Sequence, residues 1–201
     1  MADIVYEFEG SLYLNITNEC PCRCVFCIRD KTDTVGTGKN MWHDKAPTFE
    51  QVKEAILSAD MSKYKKVVFC GYGEPTCAFD VLVKTAKFIK ENYDVSLRVN
   101  TNGLGNLING RDITKELCEN VDSLSVSLNA PNSERFQQIT RNVYGEKSFD
   151  EMLSFTEKCV AYGTPVRLTV VDILSQEEIK ECAEIASKLG AKFDARKYIK
   201  E

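Results

Sequence analysis

Two periodicities divide this chain. Short apolar runs of strand length alternate with longer stretches whose apolar positions recur every three or four residues, the spacing of a helix with one buried face. Residues 3–8 and 11–17 read as strands meeting at the turn Glu9-Gly10-Ser11. A helix is predicted over 48–59, with Thr48 as N-cap, Gln51 three residues on, and Val52, Ile56 and Leu57 at helical spacing. Strands over 67–70, 96–100 and 123–128 then alternate with helices over 78–92 and 113–119. Helical segments over 132–139 and 149–161 lead to a strand over 166–171. The last helix, 175–189, opens with Ser175 and Glu178 and stops at Gly190, before a final strand over 192–196.

Strands separated by helices imply parallel βαβ units of one hand, an α/β fold. A flat doubly wound sheet and a curved partial barrel both satisfy that pattern. The polar motifs favour the barrel, because consecutive predicted strands end in unusual polar residues: a cysteine loop after Thr17, Gly71-Tyr72-Gly73-Glu74-Pro75 after Cys70, Asn100-Thr101-Asn102-Gly103, and Ser127-Leu128-Asn129. Parallel folds gather their sites at such C-terminal strand ends. The expectation is a single-domain partial (β/α)6 barrel over residues 1–201, with a loop at 18–47 carrying the cysteines.

Composition narrows the class. The 201 residues are 43% hydrophobic, enough for one core, and the net charge is -4 from 26 basic and 30 acidic residues. No basic tract points to a nucleic-acid partner, and no apolar run approaches the roughly 20 residues that span a bilayer. The first residues lack the basic and apolar regions of a signal peptide, and nine cysteines is an odd number. A reduced, cytoplasmic protein without a membrane partner is expected.

The cysteines carry the first chemistry. Cys20-Pro21-Cys22-Arg23-Cys24-Val25-Phe26-Cys27 contains C-x3-C-x2-C at Cys20, Cys24 and Cys27, with an aromatic residue before the last thiol. Thiolates this close repel one another unless a soft cation neutralises them. A structural zinc site would need a fourth ligand, Cys22 or the single histidine, His43, and usually uses two separated pairs. Three thiols instead suit a [4Fe-4S] cube with one iron left open. Cys22 is then a spare residue on the surface of the loop.

The other strand ends supply polar groups. In Gly71-Tyr72-Gly73-Glu74-Pro75 the glycines permit close backbone approach and Glu74 offers a carboxylate to an ammonium group. Asn100 opens an Asn-Gly turn region. Ser125, Ser127 and Asn129 point to one side of their strand, and would make a barrel interior wet at its top. Arg141 and Arg167 are candidate partners for a carboxylate. In the 28–47 loop, Trp42 reads as an anchor and His43 as a solvated imidazole, and the loop is long enough to fold over the opening. The other cysteines read as core or helix residues, with Cys77 close to the Gly-Glu-Pro turn.

With these motifs the chain resembles the radical S-adenosylmethionine (SAM) superfamily, strand by strand over nearly its whole length. More narrowly, Leu12-Tyr13-Leu14-Asn15-Ile16-Thr17-Asn18, Val68-Phe69-Cys70 with the glycine motif, and Leu107-Ile108-Asn109-Gly110-Arg111-Asp112 are similar to the TatD-associated radical SAM proteins. The resemblance implies that Cys20, Cys24 and Cys27 hold a [4Fe-4S] cluster and that SAM chelates its open iron. Glu74 and the backbone of Gly71, Tyr72 and Gly73 would receive the SAM ammonium, and the backbone at Phe26 its adenine. Asn100, Ser127, Asn129 and Arg141, with Arg167 more remotely, would meet the ribose and carboxylate. A low-potential donor, flavodoxin- or ferredoxin-like, would supply the electron that cleaves SAM and starts hydrogen abstraction. The open side and top of a minimal partial barrel suit a protein or peptide substrate, with a small molecule as the alternative if the 28–47 loop folds over the opening. A TatD-type hydrolase is a further partner the resemblance implies.

The chain departs from some relatives. Glycyl-radical activating enzymes carry aspartates where Asn100 and Ser127 stand here. No C-terminal cysteine cluster follows the last strand, so auxiliary iron–sulfur domains are not expected. Ribosomal-RNA-methylating relatives share the glycine–glutamate–proline strand but need an added N-terminal domain. A non-catalytic iron–sulfur protein and a zinc-stabilised interaction domain are the competing readings.

Overall fold

Each βαβ unit places its next strand beside the last, giving one sheet of seven strands in the order β1-β2-β3-β4-β5-β6-β7. The computed structural model describes residues 2–198. The strands are β1 (Val5–Phe8), β2 (Ser11–Leu14), β3 (Lys66–Phe69), β4 (Ser96–Thr101), β5 (Ser123–Ser127), β6 (Val166–Val171) and β7 (Lys192–Arg196). β1 pairs antiparallel with β2 through the hairpin at Glu9 and Gly10, both at positive φ, and β2 to β7 run parallel. Strand order that never reverses is what one repeated crossover sense produces, so the sheet is the wall of the expected partial barrel rather than a doubly wound sheet.

The helices are α1 (Phe49–Ser58), α2 (Phe79–Asn92), α3 (Gly105–Asn109), α4 (Thr114–Asn120), α5 (Ser133–Thr140), α6 (Lys147–Ala161) and α7 (Gln176–Lys188). Capping boxes form at Thr48 with Gln51 and at Ser175 with Glu178, as the sequence predicts. Gly190 sits at φ 70°, the left-handed stop after α7. The helix α3 lies where the hydrophobic pattern predicts no element. Tertiary hydrogen bonds hold it: Asn109 Nδ2 donates to Thr76 O (3.0 Å), and Ile113 N donates to Asn106 Oδ1 (2.9 Å).

Strand parity separates two environments. Leu14, Val67, Phe69, Leu97, Val99, Leu124, Val126, Leu168 and Val170 point toward the helices and form the main core. A fully buried side chain of this kind contributes about 1.5–3 kcal/mol. The opposite parity faces the barrel interior and changes character along the sheet. Tyr13 and Val68 join Tyr6, Met41 and Tyr72 in a small apolar cluster. Farther along stand Arg98, Asn100, Ser125, Ser127, Arg167 and Thr169, placed side by side by the registers Asn100↔Ser125↔Arg167 and Ser127↔Thr169. The interior is polar where the sequence places Ser125 and Ser127.

Candidate functional site

The cysteine loop leaves β2 and is stitched to the end of α5. Arg23 N donates to Thr140 O (2.8 Å), Val25 N to Ile139 O (3.0 Å) and Val143 N to Pro21 O (3.0 Å). These bonds satisfy carbonyls at a helix terminus, which have no partner within the helix. They also bring Arg141 beside the loop. Its backbone is left-handed at φ 46° as the C-cap of α5, and its side chain is exposed.

Within the loop, the thiols of Cys20 and Cys24 both hydrogen-bond Cys22. Cys22 is buried, with Asn102 Nδ2 3.7 Å from its sulfur, and this corrects the surface position expected for it. Its neighbours' sulfurs and burial hold it firmly protonated. The hydrogen bond from Cys22 draws the Cys20 thiol downward. Burial pushes Cys27 up to about 11, with Arg29 pulling the other way. Among the described residues no three His, Cys, Asp or Glu side chains gather as a single-ion site. A four-iron cube takes each of three thiolates on a different iron, so it suits ligands spread along a loop.

Next to this loop Glu74 closes the gap between β3 and β4. It is buried, and its Oε1 accepts from Thr76 N (3.1 Å), Thr76 Oγ1 (2.8 Å) and Thr101 Oγ1 (2.7 Å). Its Oε2 accepts from Asn102 N at 2.7 Å. Burial raises the Glu74 carboxyl above its ordinary range, while these donors act to lower it. Its charge is felt at Cys20 and at Cys77, which is pushed up to about 12 chiefly by burial. Cys77 therefore does border the site, lining with Asn18, Cys20, Cys22 and Tyr144 an open cavity of about 430 Å³.

The two glycines have a reason the sequence could not supply. A Cβ on Gly71 would lie 2.2 Å from Asn15 Oδ1, and one on Gly73 2.3 Å from Thr17 O. They are needed because the chain beyond β2 packs directly on the motif. Asn15 is fully buried there, donating to Met41 O (2.8 Å) and accepting from Tyr72 N (3.2 Å).

Tyr72 faces the 28–47 loop. Its hydroxyl donates to Thr32 O, and its ring meets Trp42 edge-on at 5.2 Å. Arg29 completes this anchor, donating to Tyr72 O (3.0 Å) and lying 5.0 Å from the Trp42 ring centre. Trp42 is the expected anchor. His43 is not the expected solvated imidazole, since its Nε2 lies 2.8 Å from Asn15 O. Phe26 is half-buried against the main core.

Toward the ends of β4 and β5 the interior holds polar atoms that lack partners. Asn129 is buried at φ 57°, its N donates to Thr169 O (3.2 Å), and its Oδ1 is unpartnered. Asn100 Oδ1 is likewise buried without a partner. Ser127 is half-buried between them in register. Arg167 lies near the start of β6, in an exposed pair with Asp194 (3.4 Å). The structure gathers the cysteine loop, Glu74, Asn100, Ser127 and Asn129 toward the strand ends, with Arg141 at the rim; Arg167 stands level with Asn100 across Ser125 but is tied to Asp194. Asn15, Arg29, Thr101 and Asn102 were missed as site residues, although Thr101 and Asn102 lay within the 100–103 motif and Asn15 within the 12–18 motif.

Comparison with known proteins places the chain in a family. Residues 14–189 match the model of the Radical SAM superfamily, and the chain belongs to that family. A probable GTP 3',8-cyclase of Thermococcus kodakarensis is 31% identical over 183 residues, covering 90% of this chain and 54% of its own. The GTP 3',8-cyclase of Clostridium perfringens is 27% identical, covering 88% and 51%. The chain thus spans about half the length of the curated relatives it matches. In fold it is similar to a radical SAM methyltransferase from Sphaerobacter thermophilus (TM-score 0.69, 17% identity, 96% of this chain and 57% of that one). It is also similar to Streptococcus suis SuiB bound to precursor peptide SuiA (TM-score 0.69, 17% identity, 92% and 38%).

Family membership makes a [4Fe-4S] cluster and SAM the cofactors of this chain. The residues present fit them: three thiols on one loop, a buried carboxylate beside it, and orphaned polar atoms at Asn100 and Asn129 facing the interior. No described helix is long and apolar enough to cross a membrane.

Proposed function

We propose that this protein is a radical SAM enzyme that starts hydrogen abstraction on a protein or peptide substrate. Residues 1–201 would form its core domain, with Cys20, Cys24 and Cys27 as cluster ligands. When bound and reduced, the cluster supplies the electron for reductive cleavage of SAM. The backbone of Gly71, Tyr72 and Gly73 would receive the SAM ammonium beside Glu74, whose Oε2 accepts from Asn102 N. Phe26 backbone would meet the adenine. Asn100, Ser127 and Asn129 would hold the ribose, and Arg141 the carboxylate; Arg167, ion-paired at the base of β6, would act at most through the substrate.

The single observation that carries this reading is the buried, unpartnered Oδ1 of Asn129 at a positive φ, beside the cysteine loop's strand-end ring. A polar atom buried without a partner is costly, and a ligand that supplies a donor removes the cost. The peptide substrate draws support from the peptide-bound neighbours, SuiB with SuiA and anSMEcpe with its Cp18Cys peptide. A flavodoxin- or ferredoxin-like donor, a TatD-type hydrolase partner and a cytoplasmic location complete the proposal, the last two following the narrower resemblance and the cysteine usage.

The test is anaerobic reconstitution with iron and sulfide, followed by SAM and dithionite. 5′-Deoxyadenosine is expected from the wild type and not from Cys24→Ala. A colourless protein that binds neither iron nor SAM would overturn the reading in favour of a zinc-stabilised domain. An intact cluster with no SAM binding would favour a non-catalytic iron–sulfur protein.

A further inference from the structure

The barrel interior contains a cation that its own protein leaves unmatched. Arg98 is the third residue of β4, on the same face as Asn100 and below it. Its Nη2 donates to the Tyr13 hydroxyl at 3.2 Å, and its Nε is buried without a partner. Among the described residues it makes no ion pair. Two residues along the strand, Asn100 Oδ1 is also buried and unpartnered. An acceptor and a donor group thus stand open on one wall.

The charges around Arg98 do not balance it. Of the groups on the interior face of β6 and β7, Arg167 and Asp194 pair with each other. Arg196, also on this face, makes no ion pair among the described residues. The charges of Arg98 and Arg196 both reach the Cys70 thiol, which lies between β2 and β4 at the foot of the glycine motif. Val68 and Tyr13 stand level with Arg98 on the two neighbouring strands, within the small apolar cluster, so the guanidinium has an apolar flank. A half-buried guanidinium with N–H groups to spare selects an oxyanion, which its fork can bind through two oxygens.

We propose that Arg98 is the subsite for an anionic group of the substrate, a carboxylate or a phosphate that enters the interior below SAM. The inference rests on the radical SAM reading for the identity of the neighbouring cofactor, and deepens it by naming the substrate's charge. The cofactor's own carboxylate is a poorer occupant, because the motifs assigned to SAM lie at the strand ends and Arg98 lies within the strand.

Calorimetric titration of the reconstituted protein, with and without saturating SAM, tests this. The probes are inorganic phosphate and N-acetylglutamate α-amide, which separate a phosphorylated substrate from one carrying a carboxylate. Binding of one probe to the SAM-loaded wild type is expected, weakened about tenfold or more in Arg98→Gln, partly restored in Arg98→Lys, and unchanged in the exposed-surface variant Lys84→Gln. Equal binding by Arg98→Gln, or binding of neither probe at millimolar concentrations, would overturn the proposal. So would displacement of the probe by SAM, which would assign the subsite to the cofactor. Should Arg98→Gln fail to fold, the wild-type titration and Arg98→Lys still decide. SAM binding without anion binding removes only the anion subsite, whereas anion binding without SAM binding removes the radical reading and retains Arg98.

Discussion

Thr101 donates its hydroxyl to Glu74 across the ends of two neighbouring strands, at 2.7 Å. The same oxygen takes both donors of Thr76, and the second oxygen takes the backbone N–H of Asn102. Glu74 is thus a clasp between β3 and β4 before it is anything to a ligand. Removing one donor to a buried carboxylate costs about 1–2 kcal/mol. Thr101→Val is expected to lose that much in urea unfolding. In a double-mutant cycle with Glu74→Gln the pair should couple by about 0.5 kcal/mol or more. Strict additivity would mean that the two side chains do not share the clasp.

Cys22 is buried against Cys20, Cys24 and Asn102 but stands outside the C-x3-C-x2-C spacing. Cys22→Ser should therefore retain wild-type iron and sulfide after reconstitution. Placing a hydroxyl in this pocket should lower stability by roughly 1–2 kcal/mol. Loss of iron comparable to that of Cys24→Ala would identify Cys22 as a ligand.

Gly73 and Gly163 make a contrast in what a methyl group meets. At Gly73 a Cβ would lie 2.3 Å from Thr17 O and 2.8 Å from Glu19 O, both backbone atoms. Gly73→Ala is expected to cost about 3 kcal/mol or more, because backbone cannot step aside as a side chain can. Gly163, at φ 81°, has nothing within 4 Å, and its substitution by alanine should cost only the left-handed strain of about 1–2 kcal/mol. Chemical denaturation of both variants checks the order.

Asn129 separates stability from binding. Glycine tolerates its φ of 57°, so Asn129→Gly should unfold close to the wild type. It removes the unpartnered Oδ1, and SAM affinity should fall about tenfold. Equal affinity by calorimetry would show that the amide serves only the backbone turn.

Acid should release one outer clamp. Lys158, followed by Thr114, holds the Asp112 carboxyl down to about 2 from its ordinary 3.8. A carboxyl lowered in the folded state contributes above its unfolded value and loses that contribution as pH falls through the folded one. The stability difference between wild type and Asp112→Asn should thus be present above about pH 4 and its charge-dependent part should vanish toward pH 2. The pair is half-exposed, at 2.7 Å, so that part should be less than about 1 kcal/mol. A difference unchanged down to pH 2 would assign the effect to the cap on Thr114 alone.

The sequence alone determined the architecture, because its information is local. Caps such as Thr48 with Gln51 and Ser175 with Glu178, and the two-residue alternation of Ser125, Val126 and Ser127, act within a few residues and left their marks in order. The cysteine spacing was legible for the same reason. What Glu74, Gly71 and Cys22 touch was decided only in three dimensions. Their partners Thr101, Asn15 and Asn102 lie at or just past the ends of other strands, brought there by parallel crossovers that no short window contains. Trp42 meets Tyr72 as the anchor the sequence suggested, whereas His43, read as solvated, is met by Asn15 only across the folded chain. Arg98 drew no attention, since a single arginine in a strand is ordinary, and only the folded interior shows its Nε buried without a partner.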